Sequence, residues 1–314
     1  MSENTGPDFD WTGRDDGPGT EFDRYYRLFQ DSDHPADFTL MGFACDVGVQ
    51  QNQGRPGPAE GPDSIRSALA NMVPHHRKHL QDAGNISCTD GELSRAHQRL
   101  ADTVSAALAA GSTALVLGGG HEVAFGSYSG LLQEQQRRGG HERIGIINFD
   151  ALFDLRADQT PSSGTPFLQA ARASANAGVD FNYLVLGIAE HANTAALFDT
   201  AAELGVRYLL DRELSAAESQ LEHAKETLNQ FLASIDVLYV SVDMDVFPAA
   251  VAPGVSAPAP RGVELAVVEP LLEHILATGK VKVFDVAETN PRIDIDNRTS
   301  QLAALLVHTV ISHR

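Results

Sequence analysis

Cysteine occurs twice, tryptophan once and lysine rarely in this chain of 314 residues. Two thiols cannot build a four-cysteine zinc ribbon, and they need not pair. Cys45 and Cys88 are therefore read as free thiols in a reducing compartment. No run of about 18 apolar residues occurs, so no membrane-spanning helix is expected. Residues 1–37 are polar and acidic and lack the apolar centre of a secretion signal, which makes a cytoplasmic location the expectation. Basic side chains are also scarce: 23 against 42 acidic ones, a net charge of −19. That balance opposes binding to nucleic acid or to an anionic membrane, and it leaves small molecules as the expected partners. Any anionic substrate would need a local basic pocket.

What the chain does contain is a regular alternation of apolar runs and amphipathic stretches. Strands are expected over 38–45, 113–117, 143–149, 183–187, 206–210, 237–242 and 281–286, with a weaker one near 85–88. Helical patterns fall over 61–72, 94–110, 122–138, 166–177, 194–204, 213–234, 264–278 and 300–313. Pro62 suits the first turn of its helix. Strands alternating with helices imply βαβ units, so the expected fold class is a three-layer α/β/α sandwich with a mostly parallel central sheet. Residues 1–36, rich in Asp, Gly and Pro, are read as an irregular N-terminal arm, and 37–314 as one catalytic domain.

Three of the strand candidates end in groups that an apolar core would not tolerate unpaired. They are Leu117-Gly-Gly-Gly-His121, Asn148-Phe-Asp150-Ala-Leu152-Phe-Asp154 and Ser241-Val-Asp243-Met-Asp245. Side chains two apart on a strand share a face, so Asp243 and Asp245 are expected to point the same way, as are Asp150 and Asp154 if the chain stays extended. Crowded carboxylates in a low dielectric repel one another and lose hydration, and a divalent cation is the simplest group that holds them together. A glycine triplet alone fits a phosphate loop or a plain turn equally well, and aspartates also cap turns after strands. The combination with a histidine favours a metal centre. Oxygen donors with one imidazole suit manganese or magnesium better than a structural zinc.

Together with Asp285-Val-Ala-Glu288-Thr-Asn290-Pro291, these motifs resemble the arginase/agmatinase/formimidoylglutamase family of ureohydrolases over roughly residues 38–310. The resemblance implies an arginase-like fold and a two-manganese centre that hydrolyses guanidino or formimino C–N bonds. It also implies self-association. By the same resemblance His121, Asp150, Asp154 and Asp243 hold the first ion, and Asp150, Asp243 and Asp245 serve the second. One position departs from the pattern: Leu152 stands where the family carries a histidine ligand, and leucine cannot coordinate a metal. A weakened or empty second ion site is expected, with Glu190 and His191 as candidates for a compensating ligand.

Within the family the closest likeness is to formimidoylglutamase, carried by Trp11-Thr-Gly-Arg14, Ser163-Gly-Thr-Pro-Phe167 and Val251-Ala-Pro-Gly-Val-Ser-Ala-Pro258. The histidine that arginases and agmatinases carry near Ser163 is missing. The implied reaction converts N-formimidoyl-L-glutamate and water to L-glutamate and formamide, a step of histidine degradation. Alternatives are a hydrolase of another guanidino acid, or a metal-poor member that binds a ligand or partner without turnover. Two carboxylates on the substrate call for arginines, and Arg55 and Arg156 are the candidates, with Asn52 and Ser163 beside them. Arg66 is expected to be structural. Glu288 is expected to hold the cationic formimino nitrogen and Asp154 to carry a proton to the leaving amine.

Overall fold

Each apolar run becomes a strand in the computed structural model, which describes residues 9–29, 35–140 and 142–313. The strands are β1 (Phe38–Ala44), β2 (Leu80–Ser87), β3 (Thr113–Leu117), β4 (Ile144–Phe149), β5 (Asn182–Ile188), β6 (Arg207–Leu210), β7 (Val237–Asp243) and β8 (Val281–Ala287). They form one eight-stranded sheet in the order β2-β1-β3-β8-β7-β4-β5-β6. Every pairing is parallel, so the expectation of a mostly parallel sheet is met without exception.

Ten α-helices occur among the described residues: α1 (Tyr25–Leu28), α2 (Val47–Gln51), α3 (Gly61–Ala70), α4 (Leu93–Ala109), α5 (Val123–Arg137), α6 (Pro166–Ala177), α7 (Ala195–Glu203), α8 (Glu218–Leu232), α9 (Leu265–Leu276) and α10 (Arg298–Ser312). None is long and apolar enough to cross a membrane. Strand periodicity divides the core into two layers. On one face Leu40, Leu115, Leu117, Ile147, Phe149, Leu184, Val240, Val242, Phe284 and Val286 pack with α3, α8, α9 and α10. On the other, Met41, Phe43, Val116, Ile146, Val185, Tyr239 and Val283 pack with α4, α5 and α6. A sheet buried on both faces needs continuous apolar runs rather than alternating ones, which is how these strands read.

Strand order sets where chemistry is possible. The chain lays β1, β2 and β3 on one side of the sheet, crosses to lay β4, β5 and β6 on the other, and returns to place β7 and β8 between them. Parallel strands point their carboxyl ends to one rim, and ligands bind there at switches in strand order. The adjacent strands β3, β8, β7 and β4 each bring a candidate residue to that rim.

Three expectations need correction. The edge strand near 85–88 starts earlier, at Leu80. The pattern over 213–234 is broken: Asp211–Glu213 is a 3-10 turn, and α8 starts only at Glu218. The arm is not irregular throughout its described part, since it holds a 3-10 turn (Thr20–Phe22) and α1. It is also docked. Trp11 is 4% exposed, stacks on Phe29 at 4.0 Å between centroids, and its Nε1 donates to Asp82 Oδ2 at 2.8 Å.

Asp82 is shared with Arg66, whose Nε and one terminal nitrogen donate to its two oxygens at 2.9 and 2.8 Å. Arg66 is fully buried, so its structural assignment holds. Truncating it strands a buried carboxylate, a change that costs about 3–5 kcal/mol when one partner of a buried pair is removed. Denaturant unfolding of Arg66→Ala is expected to show a loss of that size, together with earlier proteolysis of the arm.

Candidate metal centre

The turn between β3 and α5 carries His121. Three glycines let the backbone pass where nothing larger fits: a Cβ on Gly119 would lie 1.8 Å from the Cys45 carbonyl oxygen. The imidazole is fixed from behind. Its Nε2 lies 3.0 Å from Ser241 Oγ, and that hydroxyl donates to Asp285 Oδ1 at 2.5 Å. Asp285 also accepts from Ser127 at 2.7 Å and from Tyr239 at 2.6 Å. With the Ser241 hydroxyl committed to Asp285, it accepts from Nε2–H and leaves the Nδ1 lone pair free. Phe167 stands edge-on to the ring at 5.4 Å and limits its rotation.

Nδ1 faces three carboxylates. Asp150 Oδ2 lies at 3.1 Å, Asp154 Oδ2 at 2.9 Å and Asp243 Oδ2 at 3.0 Å. None is placed to accept a hydrogen bond from it, and Nδ1 is buried without a hydrogen-bond partner. His121, Asp150, Asp154 and Asp243 each offer one ligand atom, and these four atoms lie within 4.8 Å of one another. One unpartnered imidazole nitrogen and three converging carboxylate oxygens are a fit for a divalent cation.

Electrostatics point the same way. Burial pushes Asp154 up to about 7, and the neighbouring charge of Asp150 adds to the effect. Asp245 is raised well above the usual carboxylate range by burial and by Asp243. A divalent ion at the cluster reverses this destabilisation of the charged forms.

The acidic residues arrive by a different local route from the one expected. β4 stops at Phe149 and β7 at Asp243. Asp154 adopts left-handed backbone, φ 51°, so 150–154 is not extended. Asp150 Oδ1 caps the turn by accepting Leu152 N–H at 2.7 Å, while Oδ2 accepts from Asn148 Nδ2 at 2.8 Å. Asn193 pins the loop further through Phe153 N and Ala151 O. Asp245 lies in a 3-10 turn (Met244–Val246) and donates its N–H to Asp243 Oδ1 at 2.8 Å. The shared strand face is thus corrected for both pairs: turns, not the pleat, aim these carboxylates. Asp245 is buried beside the cluster and is not among the four residues whose donor atoms converge.

Glu288, just past β8, is also left-handed, φ 64°. Its Oε1 accepts His121 N–H at 2.9 Å, and its Oε2 is buried without a partner. Asn52 Nδ2 donates to Ser163 Oγ at 3.1 Å. A Cβ on Gly164 would lie 2.6 Å from Arg156 Cδ and 3.2 Å from Asn52 Nδ2, so Asn52, Ser163 and Arg156 converge on one loop surface. Arg55 reaches the Val255 carbonyl instead. Glu190 and His191 are both exposed and lie outside the buried cluster, and Glu190 is paired with Arg212. Cys45 and Cys88 are free and buried.

The sheet order and the His/Asp cluster at its rim define a parallel α/β protein with a buried site fit for a divalent cation. A sequence profile of the Arginase family matches residues 36–312, and the chain belongs to that family. It is 46% identical over 307 residues to a formimidoylglutamase of Rhodococcus opacus, covering 97% of this chain and 95% of that protein. To a formimidoylglutamase of Aeromonas hydrophila it is 53% identical over 273 residues, covering 87% and 85%. In fold it is similar to the crystal structure of Trypanosoma cruzi formiminoglutamase with manganese, at TM-score 0.80 and 24% identity, covering 93% of this chain and 98% of that one.

Sequence reasoning did not single out Ser241 and Asp285 as supports of the ligand histidine. Their signal was present: each is a polar residue inside an apolar strand. Outer partners of this kind change metal affinity by about 10–100-fold when removed. Calorimetric titration of Ser241→Ala with Mn2+ is expected to show a loss in that range, with circular dichroism unchanged.

Proposed function

We propose that this chain hydrolyses N-formimidoyl-L-glutamate to L-glutamate and formamide with manganese at the His121, Asp150, Asp154 and Asp243 cluster. The observation that carries this reading is the unpartnered Nδ1 of His121 facing three carboxylates, in a chain that shares nearly half its residues with proteins named formimidoylglutamase. Manganese is favoured by the oxygen-rich donor set and by the family resemblance. When bound, the ion supplies Lewis acidity and activates water.

The chain's own residues supply the rest. Asn52, Ser163 and Arg156 form the surface assigned to the glutamate carboxylates. Arg55, anchored on Val255, is the second candidate clamp. Glu288 Oε2, buried and unpartnered, is assigned to the cationic formimino nitrogen. Asp154, at the edge of the cluster, is assigned to deliver a proton to the departing amine as the C–N bond breaks. Turnover of Glu288→Gln is expected to fall by about 100-fold or more, the usual scale of a lost electrostatic contact to the reacting group, while manganese content stays near wild type. Unchanged turnover would remove Glu288 from the mechanism.

Leu152 favours a second reading. A second ion would draw on Asp150, Asp243 and Asp245, and Leu152 offers no donor to complete the set. We assign that site as weak, and a metal-poor chain that binds its ligand without turnover follows if one ion does not suffice. Formamide release with added manganese separates the readings, and metal analysis after desalting counts the ions. The expected result is fewer than two tightly held manganese ions per chain, with a gain in metal content and rate for Leu152→His. Two tightly held ions in the unaltered chain contradict the weak-site assignment. No gain from Leu152→His, in a chain that releases no formamide, supports the binding role. A cytoplasmic location and self-association remain part of the proposal.

A further inference from the structure

Next to His121 lies an acidic side chain that the proposed chemistry does not use. Glu122 is fully buried. Its Oε1 accepts Gly48 N–H at 2.8 Å and lies 3.8 Å from Cys45 Sγ, and its Oε2 has no partner. The surrounding backbone is shaped to the carboxylate. A Cβ on Gly48 would come 2.5 Å from Glu122 Cδ, and one on Gly120 would come 2.1 Å from Oε2. A buried carboxylate in so close a cradle is costly, and a structural filler of that space would be apolar.

What Glu122 holds is α2, a helix of five residues. So short a helix does not persist alone. Gly48 is its second residue, and its N–H is one of the groups that a helix start leaves unsatisfied. From there the chain runs directly into the substrate loop: Asn52 N–H closes onto Gly48 O at 2.9 Å and Gly54 N–H onto Val49 O at 2.8 Å. Asn52 then reaches Ser163. The same residue pair, His121-Glu122, therefore faces the metal with one side chain and the substrate loop with the other.

We infer that Glu122 is a positioning residue that ties the metal-ligand turn to the substrate loop by anchoring α2, so that Asn52 is held in register with the metal centre. The inference rests on the assignment of Asn52 to substrate binding.

Two measurements test it in the full-length, manganese-loaded protein. Hydrogen exchange over residues 47–56 needs no substrate. In Glu122→Ala the loop is expected to lose protection while α5 and the manganese content stay unchanged. Glu122→Gln keeps an acceptor for Gly48 N–H and is expected to restore protection. Steady-state kinetics with N-formimidoyl-L-glutamate supply the second measurement. KM is expected to rise about tenfold in Glu122→Ala, the scale of one lost hydrogen bond, with kcat little changed. Asn52→Ala is expected to raise KM similarly, and the double variant is expected to add little, because the two act along one path. Unchanged exchange over 47–56 in Glu122→Ala, or additive effects with Asn52→Ala, overturns the inference. So does a Glu122→Gln variant that loses protection as Glu122→Ala does, or a loss of manganese in either variant. Absence of formamide release from the unaltered chain counts against the substrate assignment alone, and exchange still decides the anchoring role.

Discussion

Negative charge gathered out of water is the constraint on which this structure turns. Asp150, Asp154 and Asp243 converge on one buried nitrogen that donates a hydrogen bond to none of them, and Asp245 and Glu288 stand close by. Carboxylates in such a setting are raised by lost hydration and by one another. A protein that keeps them together either protonates them or provides a cation, and a lone pair held toward the same point favours the cation. Much else follows from that choice. Ser241, Asp285, Ser127 and Tyr239 fix the imidazole, and Asn148 and Asn193 fix the loop that brings the acids in.

The all-parallel sheet makes the gathering possible. Four neighbouring central strands end at one rim, although their residues are far apart along the chain. The apolar layers on both faces hold these strands in register, so the rim inherits its rigidity from the core. The loops at the rim, Leu152 among them, lie outside those strands.

Much of this was legible in the sequence because it depends on local periodicity. Buried strands read as continuous apolar runs, and α6 falls where its pattern lies, between Pro166 and Ala177. The acids and His121 were legible because charge inside an apolar run is conspicuous. What was not legible depends on tertiary context. Nothing in the order Asp150-Ala-Leu-Phe-Asp154 shows that Asp154 turns left-handed, since that conformation is imposed by contacts such as Phe167 N to Asp154 O. Trp11 gave no sign of its burial, because its partner Asp82 lies on a strand whose start was missed. Glu190 and His191 could not be placed from spacing, and their exposure emerged only with the fold.

Asp154 and Glu288 share one further property, a backbone conformation that side chains resist, with φ of 51° and 64°. Each costs roughly 1–3 kcal/mol relative to relaxed backbone. Glycine is at ease there, so the folding equilibrium alone favours replacing both acids, while the chemistry assigned to them forbids it. Stability and activity are thereby set against each other at two defined points of the chain, and variants selected only for heat resistance will tend to drift toward a sturdier, silent protein.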